Sequence, residues 1–190
     1  TIAEKFKNIE PNEQVFNEIV GYKDTGKPIM IPQDLSALKR DYKTKGFPET
    51  LIYSYGCEPG QCKEAVYKMS KIVDGNEQVY TWDETVRRCK ELGVNTVPEL
   101  DRFEFDGDVE KALIRINSFL ANDKCVASTL DSRHIIEGVC VRIELPSNDI
   151  LDTKIGTWMV FKHKSFIFGL LEGYLKEKEV ETEESVEENQ

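Results

Sequence analysis

Apolar and polar positions follow one another in short stretches along the chain, and each stretch predicts an element. Val15–Val20 (VFNEIV) is apolar and β-prone and runs into Gly21 and the turn Lys23-Asp24-Thr25-Gly26. A short apolar run, Ile29–Ile31, is closed by Pro32, after which Asp34 is placed to cap a short helix through about Tyr42. Thr50–Tyr55 is strand-like and stops at the loop Gly56–Gly60. Ala65–Ile72 sets Val66, Lys68 and Ser70 against Tyr67, Met69 and Lys71, which predicts a strand ending at the turn Asp74-Gly75.

Helical periodicity begins at Thr81-Trp82-Asp83-Glu84, where Thr81 and Glu84 have capping-box spacing and Gly93 supplies a stop. Trp82, Val86, Cys89 and Leu92 are the expected buried stripe. A second helix is predicted from Asp108 to about Ala121, with Val109, Leu113, Ile116 and Phe119/Leu120 facing a core. Ile135–Leu145 and Trp158–Lys162 read as strands, and Ser165 opens an amphipathic helix containing Phe166, Leu170, Leu171 and Tyr174. Strands and helices mix without a βαβ rhythm, so the expected class is α+β.

Composition changes this picture little. The chain has 190 residues, 39% hydrophobic and 32% charged, an ordinary globular mix in which no apolar run approaches the ~18–20 residues of a membrane span. Half of the formal charge of −10 lies in residues 176–190, which hold seven Glu and two Lys and read as a solvated, disordered tail. The rest of the chain is not basic enough to bind nucleic acid by bulk charge, so such binding requires a local cationic site. The five cysteines lack zinc-site spacing or a disulfide framework, which suits free thiols in a reducing cytoplasm.

Two stretches carry candidate chemistry. In Glu137-Gly138-Val139-Cys140-Val141-Arg142, Glu137 heads an apolar strand face, where a carboxylate is either solvated at an edge or compensated in a cleft. In Lys162-His163-Lys164, two lysines two apart on a strand point the same way, and a phosphate is their natural partner.

E-G-V-x-V-R, followed 20 residues later (Arg142 to Lys162) by K-x-K, then S-x-x-F and Leu171-Glu172-Gly173, resembles motifs IV and V of the covalent nucleotidyltransferases, in particular ATP-dependent RNA ligases of phage type. Asn17-Glu18-Ile19-Val20-Gly21 resembles the G-E-I-V-G stretch of motif III, with Asn17 in place of glycine. Ala65–Ile72 resembles the aromatic-bearing strand of motif IIIa, and Thr81–Leu100 resembles the linking helical segment of these ligases.

The resemblance implies a nucleotidyltransferase fold of antiparallel sheets flanked by helices, with residues 1–177 as the C-terminal two-thirds of that domain and 178–190 as an acidic tail. It also implies joining of RNA 5′-phosphate and 3′-hydroxyl ends through lysyl-AMP and RNA-adenylate intermediates, with ATP/AMP and Mg²⁺ or Mn²⁺ as cofactors and RNA ends as partners, in the cytoplasm or, for a phage-encoded protein, that of its host. Lys162 and Lys164 would hold the α-phosphate. Glu18 would contact the ribose or a metal-bound water, and Glu137 would serve the metal. Tyr67 would stack on adenine, with Val66 as the alternative if the register slips by one, and Arg142 would contribute to nucleotide binding or act as a salt-bridge partner.

The family's K-x-D-G nucleophile does not occur in this sequence. Asp74-Gly75 and Asp106-Gly107 follow Ile72 and Glu104, and Lys23-Asp24-Thr25-Gly26 has the residue types in the wrong order. The expectation is therefore a chain that starts inside a larger ligase, exposes apolar edges where the missing part would pack, and does not adenylylate itself. Three alternatives remain: a non-catalytic nucleotide- or RNA-end-binding remnant, a fragment of a DNA ligase or capping-type nucleotidyltransferase, and an acidic α+β protein without a nucleotide site.

Overall fold

The computed structural model describes residues 2–38, 46–120, 125–145 and 158–173. Among them the chain is α+β, with seven strands in three antiparallel sheets and four α-helices. After a single turn of helix, α1 (Ile2–Lys5), the largest sheet has the order β1-β4-β5, formed by β1 (Glu13–Gly21), β4 (Cys62–Val73) and β5 (Asn76–Val79). Asp74 and Gly75 both take positive φ (51° and 80°), the two-residue hairpin turn whose twist matches the flanking strands.

The register of β1 on β4 shifts between Phe16↔Lys68 and Asn17↔Val66, so Tyr67 is an extra residue without a partner in β1. This β-bulge breaks the regular alternation expected over Ala65–Ile72. Val66 and Met69 join Cys89, Leu92 and Val94 in one buried cluster, while Tyr67 is 44% exposed. The adjacent Ser70 is buried too, with its hydroxyl donating to Gln14 at 3.2 Å.

The middle of the chain departs most from expectation. Gln33–Asp34 (β2) pairs with Thr50–Leu51 (β3), and the remainder of the predicted strand 50–55 turns away, with Tyr55 at φ 51°. Asp34 does act as a cap, accepting from Ser36 N at 2.8 Å, but the turn it starts is a 3-10 turn, Leu35–Ala37, and Leu38 is already extended. Leu35 N donates to Glu49 O across the β2–β3 pair, which draws the chain into strand pairing rather than helix. The remainder of the helix predicted to Tyr42 lies outside the described residues.

Helix α2 (Trp82–Leu92) has the expected capping box, with Thr81 N bonded to Glu84 Oε2 at 2.8 Å and Glu84 N to Thr81 Oγ1 at 3.2 Å, and Gly93 ends it at φ 68°. Its buried face is Thr85, Cys89 and Leu92, and Val86 is exposed, so the stripe turns by one residue from the predicted one. Thr85 can be buried because its hydroxyl is satisfied locally, donating to Thr81 O at 2.9 Å.

Helix α3 (Val109–Asn117) is shorter than predicted and buries none of its residues. Val109, Leu113 and Ile114 are exposed, and among the described residues of this stretch only Leu120, beyond the helix, is buried; Ala121 lies outside them. The helix is held by polar contacts instead: Arg115 and Lys111 pair with Asp101 and Asp106, and Asn117 bonds His163.

Strands β6 (Gly138–Glu144) and β7 (Trp158–Lys164) form a two-stranded ribbon, followed by α4 (Phe166–Leu171). Ser165 caps α4 and donates its hydroxyl to Ile136 O at 2.9 Å, pinning the ribbon to the helix start. Ile167 and Phe168 pack with Leu35, Leu51, Tyr53 and Ile135 in the second core cluster. Exposed Ile143, Val160 and Phe161 leave apolar side chains open on the ribbon. No helix among the described residues is long and apolar enough to cross a membrane. Tyr174 and the acidic tail lie outside the described residues.

Candidate functional site

The site is built where the ribbon meets α4. Gly138 lies opposite Lys164, and a Cβ on residue 138 would lie 2.4 Å from His163 O and 2.7 Å from Lys164 Cα. Glycine is required here by close approach of the two backbones. Lys162 lies opposite Cys140, two residues along, so the two lysines share a face of β7 as their spacing predicts. Both are exposed, and Lys164 Nζ sits 4.4 Å from the centroid of the Phe168 ring. His163, between them, bonds Asn117 Oδ1 through Nε2 at 2.7 Å; an amide oxygen only accepts, so the imidazole donates from Nε2.

Glu137 precedes the ribbon, with its carbonyl accepting from Ser165 N at 2.8 Å. Its carboxyl is pushed up to about 7, chiefly by burial; Glu18 and Glu172 add to the effect, while Lys164 and Lys162 oppose it. Glu18 comes from β1, where it pairs with Ala65, and Glu172 caps the C-terminus of α4. Residues from distant stretches (18 and 162–172) therefore lie within electrostatic reach of the Glu137 carboxyl.

Beside them runs a polar chain, buried at Gln33 and Tyr53, that sequence reasoning missed. Tyr53 donates to Gln33 Oε1 at 2.6 Å, and Gln33 Nε2 donates to Glu172 Oε1. Burial, with Glu137 and Glu172 nearby, holds the Tyr53 phenol well above its ordinary range. Gln33 follows the apolar run closed by Pro32, Tyr53 lies within Thr50–Tyr55, and neither carries a spacing signal. Glu172 lies within a motif-like tripeptide, and its place beside Glu137 depends on how α4 docks.

Tyr67 is solvent-facing at the bulge, one residue beyond Val66, while Val66 is buried against Cys89 and Leu92. Arg142 is turned toward the start of α2, where Nη2 donates to Tyr80 O at 2.7 Å, Nε donates to Glu144 Oε1, and the guanidinium lies 5.9 Å from the Trp82 ring. Glu144 in turn accepts from Trp82 N at 2.7 Å, so Arg142 and Glu144 together fasten β6 to the helix N-terminus.

No family model, no curated protein and no solved structure matches this chain. The chemistry of the site rests on its own geometry.

Among the described residues no group of three or more His, Cys, Asp or Glu is arranged to hold a metal. Magnesium needs less, since it is commonly bound through one or two carboxylates together with substrate phosphates and water. The raised Glu137 carboxyl, pressed by two neighbouring carboxylates, is a place where an added cation would be favoured. A separate cavity of about 260 Å³, lined by Glu10, Glu13, Tyr80 and Arg88 among others, lies away from these groups. Arg88 bonds Glu13 there at 2.9 and 3.0 Å, an internal ion pair that fixes α2 to β1.

Proposed function

We propose that this chain carries the phosphate- and metal-handling half of an ATP-dependent RNA ligase site and acts on an adenylated RNA 5′ end and a 3′-hydroxyl. The observation that supports this reading is the gathering of Glu18, Lys162 and Lys164 around Glu137 from distant parts of the chain. Phosphoryl transfer needs positioning and cationic stabilisation more than covalent participation by the protein, and two exposed ammonium groups on one strand face suit both.

Lys162 and Lys164 would bind the phosphate of the adenylate and stabilise the negative charge on its oxygens. Glu137 and Glu18 would hold Mg²⁺, which neutralises phosphate charge when bound. A carboxyl poised near 7 is half protonated at neutral pH; a cation beside it favours the carboxylate, so metal binding should release a proton from Glu137. Tyr67, exposed at the bulge of β4 two residues from the partner of Glu18, is the aromatic that would stack on a base.

The sequence holds no K-x-D-G lysine, so the reading concerns the sealing step and not self-adenylylation. The test supplies pre-adenylated RNA, an acceptor RNA with a free 3′-hydroxyl, and Mg²⁺. Joined product, lost in Lys162→Ala and Lys164→Ala, is the expected result. Binding of the adenylated end without joining would favour the non-catalytic remnant, and no binding would sink both readings. A radiolabelled band after incubation with labelled ATP would reveal a nucleophile elsewhere in the chain.

A further inference from the structure

Five cysteines are present, all as free thiols, and two of them flank one turn beside the end of β1. Cys57 is buried and Cys62 is exposed. The chain between them folds back on itself, with Gln61 N donating to Glu58 O at 2.8 Å and Glu58 N donating to Gln61 Oε1 at 3.2 Å. Residues that flank a four-residue turn closed in this way become neighbours. Gly21 reports where their side chains go. It pairs with Cys62 in the β1–β4 register, and a Cβ built on it would lie 2.8 Å from both Cβ and Sγ of Cys57. Cys57 and Cys62 therefore both neighbour Gly21, Cys57 by packing on its Cα and Cys62 by strand pairing. Cys57 thus packs on the residue that lies opposite Cys62 in the register. A disulfide needs Cβ atoms about 3.5–4.5 Å apart, so closing one here is an adjustment of the 57–62 turn backbone together with the two side chains.

We propose that Cys57 and Cys62 form a redox-active dithiol that closes to an intramolecular disulfide by exchange with a low-molecular-weight disulfide. Cys62 is the entry thiol, because it is the exposed member of the pair. Its thiolate attacks one sulfur of the small disulfide, forming a mixed disulfide and releasing one thiolate equivalent. Cys57 then gives up its proton and attacks the Cys62 sulfur, expelling the second small thiol. Two protein thiols are oxidised and one external disulfide is reduced to two thiols, so atoms and electrons balance.

Its surroundings suit Cys57 to the second, resolving role. Burial pushes its thiol up, which disfavours direct attack from solvent; Lys63 and Arg133 pull toward the thiolate, against Cys62 and Asp131. In the reduced chain the Cys57 thiol points at Val20 O, 3.9 Å away, two residues beyond Glu18 on the same strand. Closure would exchange that contact for a covalent clip between the 57–62 turn and the end of β1. The proposal is independent of the ligase reading.

The experiment incubates the reduced full chain with oxidised glutathione at mildly alkaline pH and maps the products by peptide mass spectrometry. The expected product contains a Cys57–Cys62 crosslinked peptide two hydrogens lighter than its reduced form, with Cys89 and Cys125 still reduced and the exposed Cys140 read separately on its own peptide. Cys57→Ser should stall at a glutathionyl adduct on Cys62, and Cys62→Ser should leave Cys57 unmodified. The idea fails if the wild-type chain stops at the Cys62 adduct, or if the bridge joins another pair. The wild-type map decides the matter even if a serine variant folds poorly.

Discussion

Gly138 and Lys164 face each other across the β6–β7 ribbon with their backbones closer than any side chain at position 138 would allow. The glycine of the E-G-V stretch thus has a structural role: it brings the strand that starts at Glu137 against the strand that ends in two lysines. Gly138→Ala should force the strands apart, costing about 2 kcal/mol or more, because the clash is with backbone and no rotamer relieves it. Urea denaturation of Gly138→Ala beside Val139→Ala checks this; a smaller loss at 138 than at 139 would contradict it.

Glu137 gives the fold a pH dependence of definite sign. Its folded value of about 7 lies above the ordinary 4.5, so the folded chain binds the proton more tightly than the unfolded one. That contribution is complete below pH 4.5 and is lost as pH rises through 7. Glu137→Gln, neutral at all pH, should therefore match the wild type near pH 4.5 and exceed it at pH 8, by at most about 3 kcal/mol. Thermal melts across that range decide it, and a variant less stable at pH 8 than the wild type would refute the argument.

His134 acts in the opposite direction. It is fully buried between Tyr53 and Tyr55, bonds Ile135 O through Nδ1 at 2.9 Å, and leaves Nε2 without a partner. Burial holds its pKa below the ordinary 6.5, so the unfolded chain binds the proton more readily. Stability from this group is present above pH 6.5 and falls as the solution is acidified below it. In His134→Phe the loss of stability between pH 7 and 5 should be shallower than in the wild type; an unchanged slope would mean that another group controls acid sensitivity.

Arg142 separates two roles by two measurements. Its bonds to Tyr80 O and Glu144 predict that Arg142→Ala loses about 1 kcal/mol of stability by removing the contacts that fasten β6 to the start of α2. Adenylate binding by the folded fraction should change far less than in Lys162→Ala. Calorimetric titration with AMP-bearing RNA tests this, and an equal loss of affinity at 142 and 162 would return Arg142 to the nucleotide.

Helix α3 should tolerate polar substitution on the face expected to be core. Leu113→Lys should shift stability by no more than about 0.5 kcal/mol, whereas Leu92→Ala on α2 should cost about 2–4 kcal/mol. Comparable losses at the two sites would show that Leu113 is covered in solution.

Local order was legible in the sequence wherever a short-range rule governs it. The Thr81–Glu84 capping box, the Gly93 stop, the Asp74-Gly75 hairpin turn, the Ser165 cap and the same-face placement of Lys162 and Lys164 follow from contacts within a few residues. The buried stripe of α2 was legible to within one residue, because Thr85 and Val86 differ little until a neighbouring strand chooses between them. The tertiary structure alone decided the bulge at Tyr67, the strand pairing that cuts short the turn after Asp34, the exposure of α3 and the turning of Arg142 toward α2. It also decided that Glu172, Gln33 and Tyr53 stand beside Glu137. Periodicity tells which residues share a face. Which faces meet is set by packing and by hydrogen bonds between residues more than a hundred positions apart, such as Gln33 and Glu172, and no local pattern encodes those.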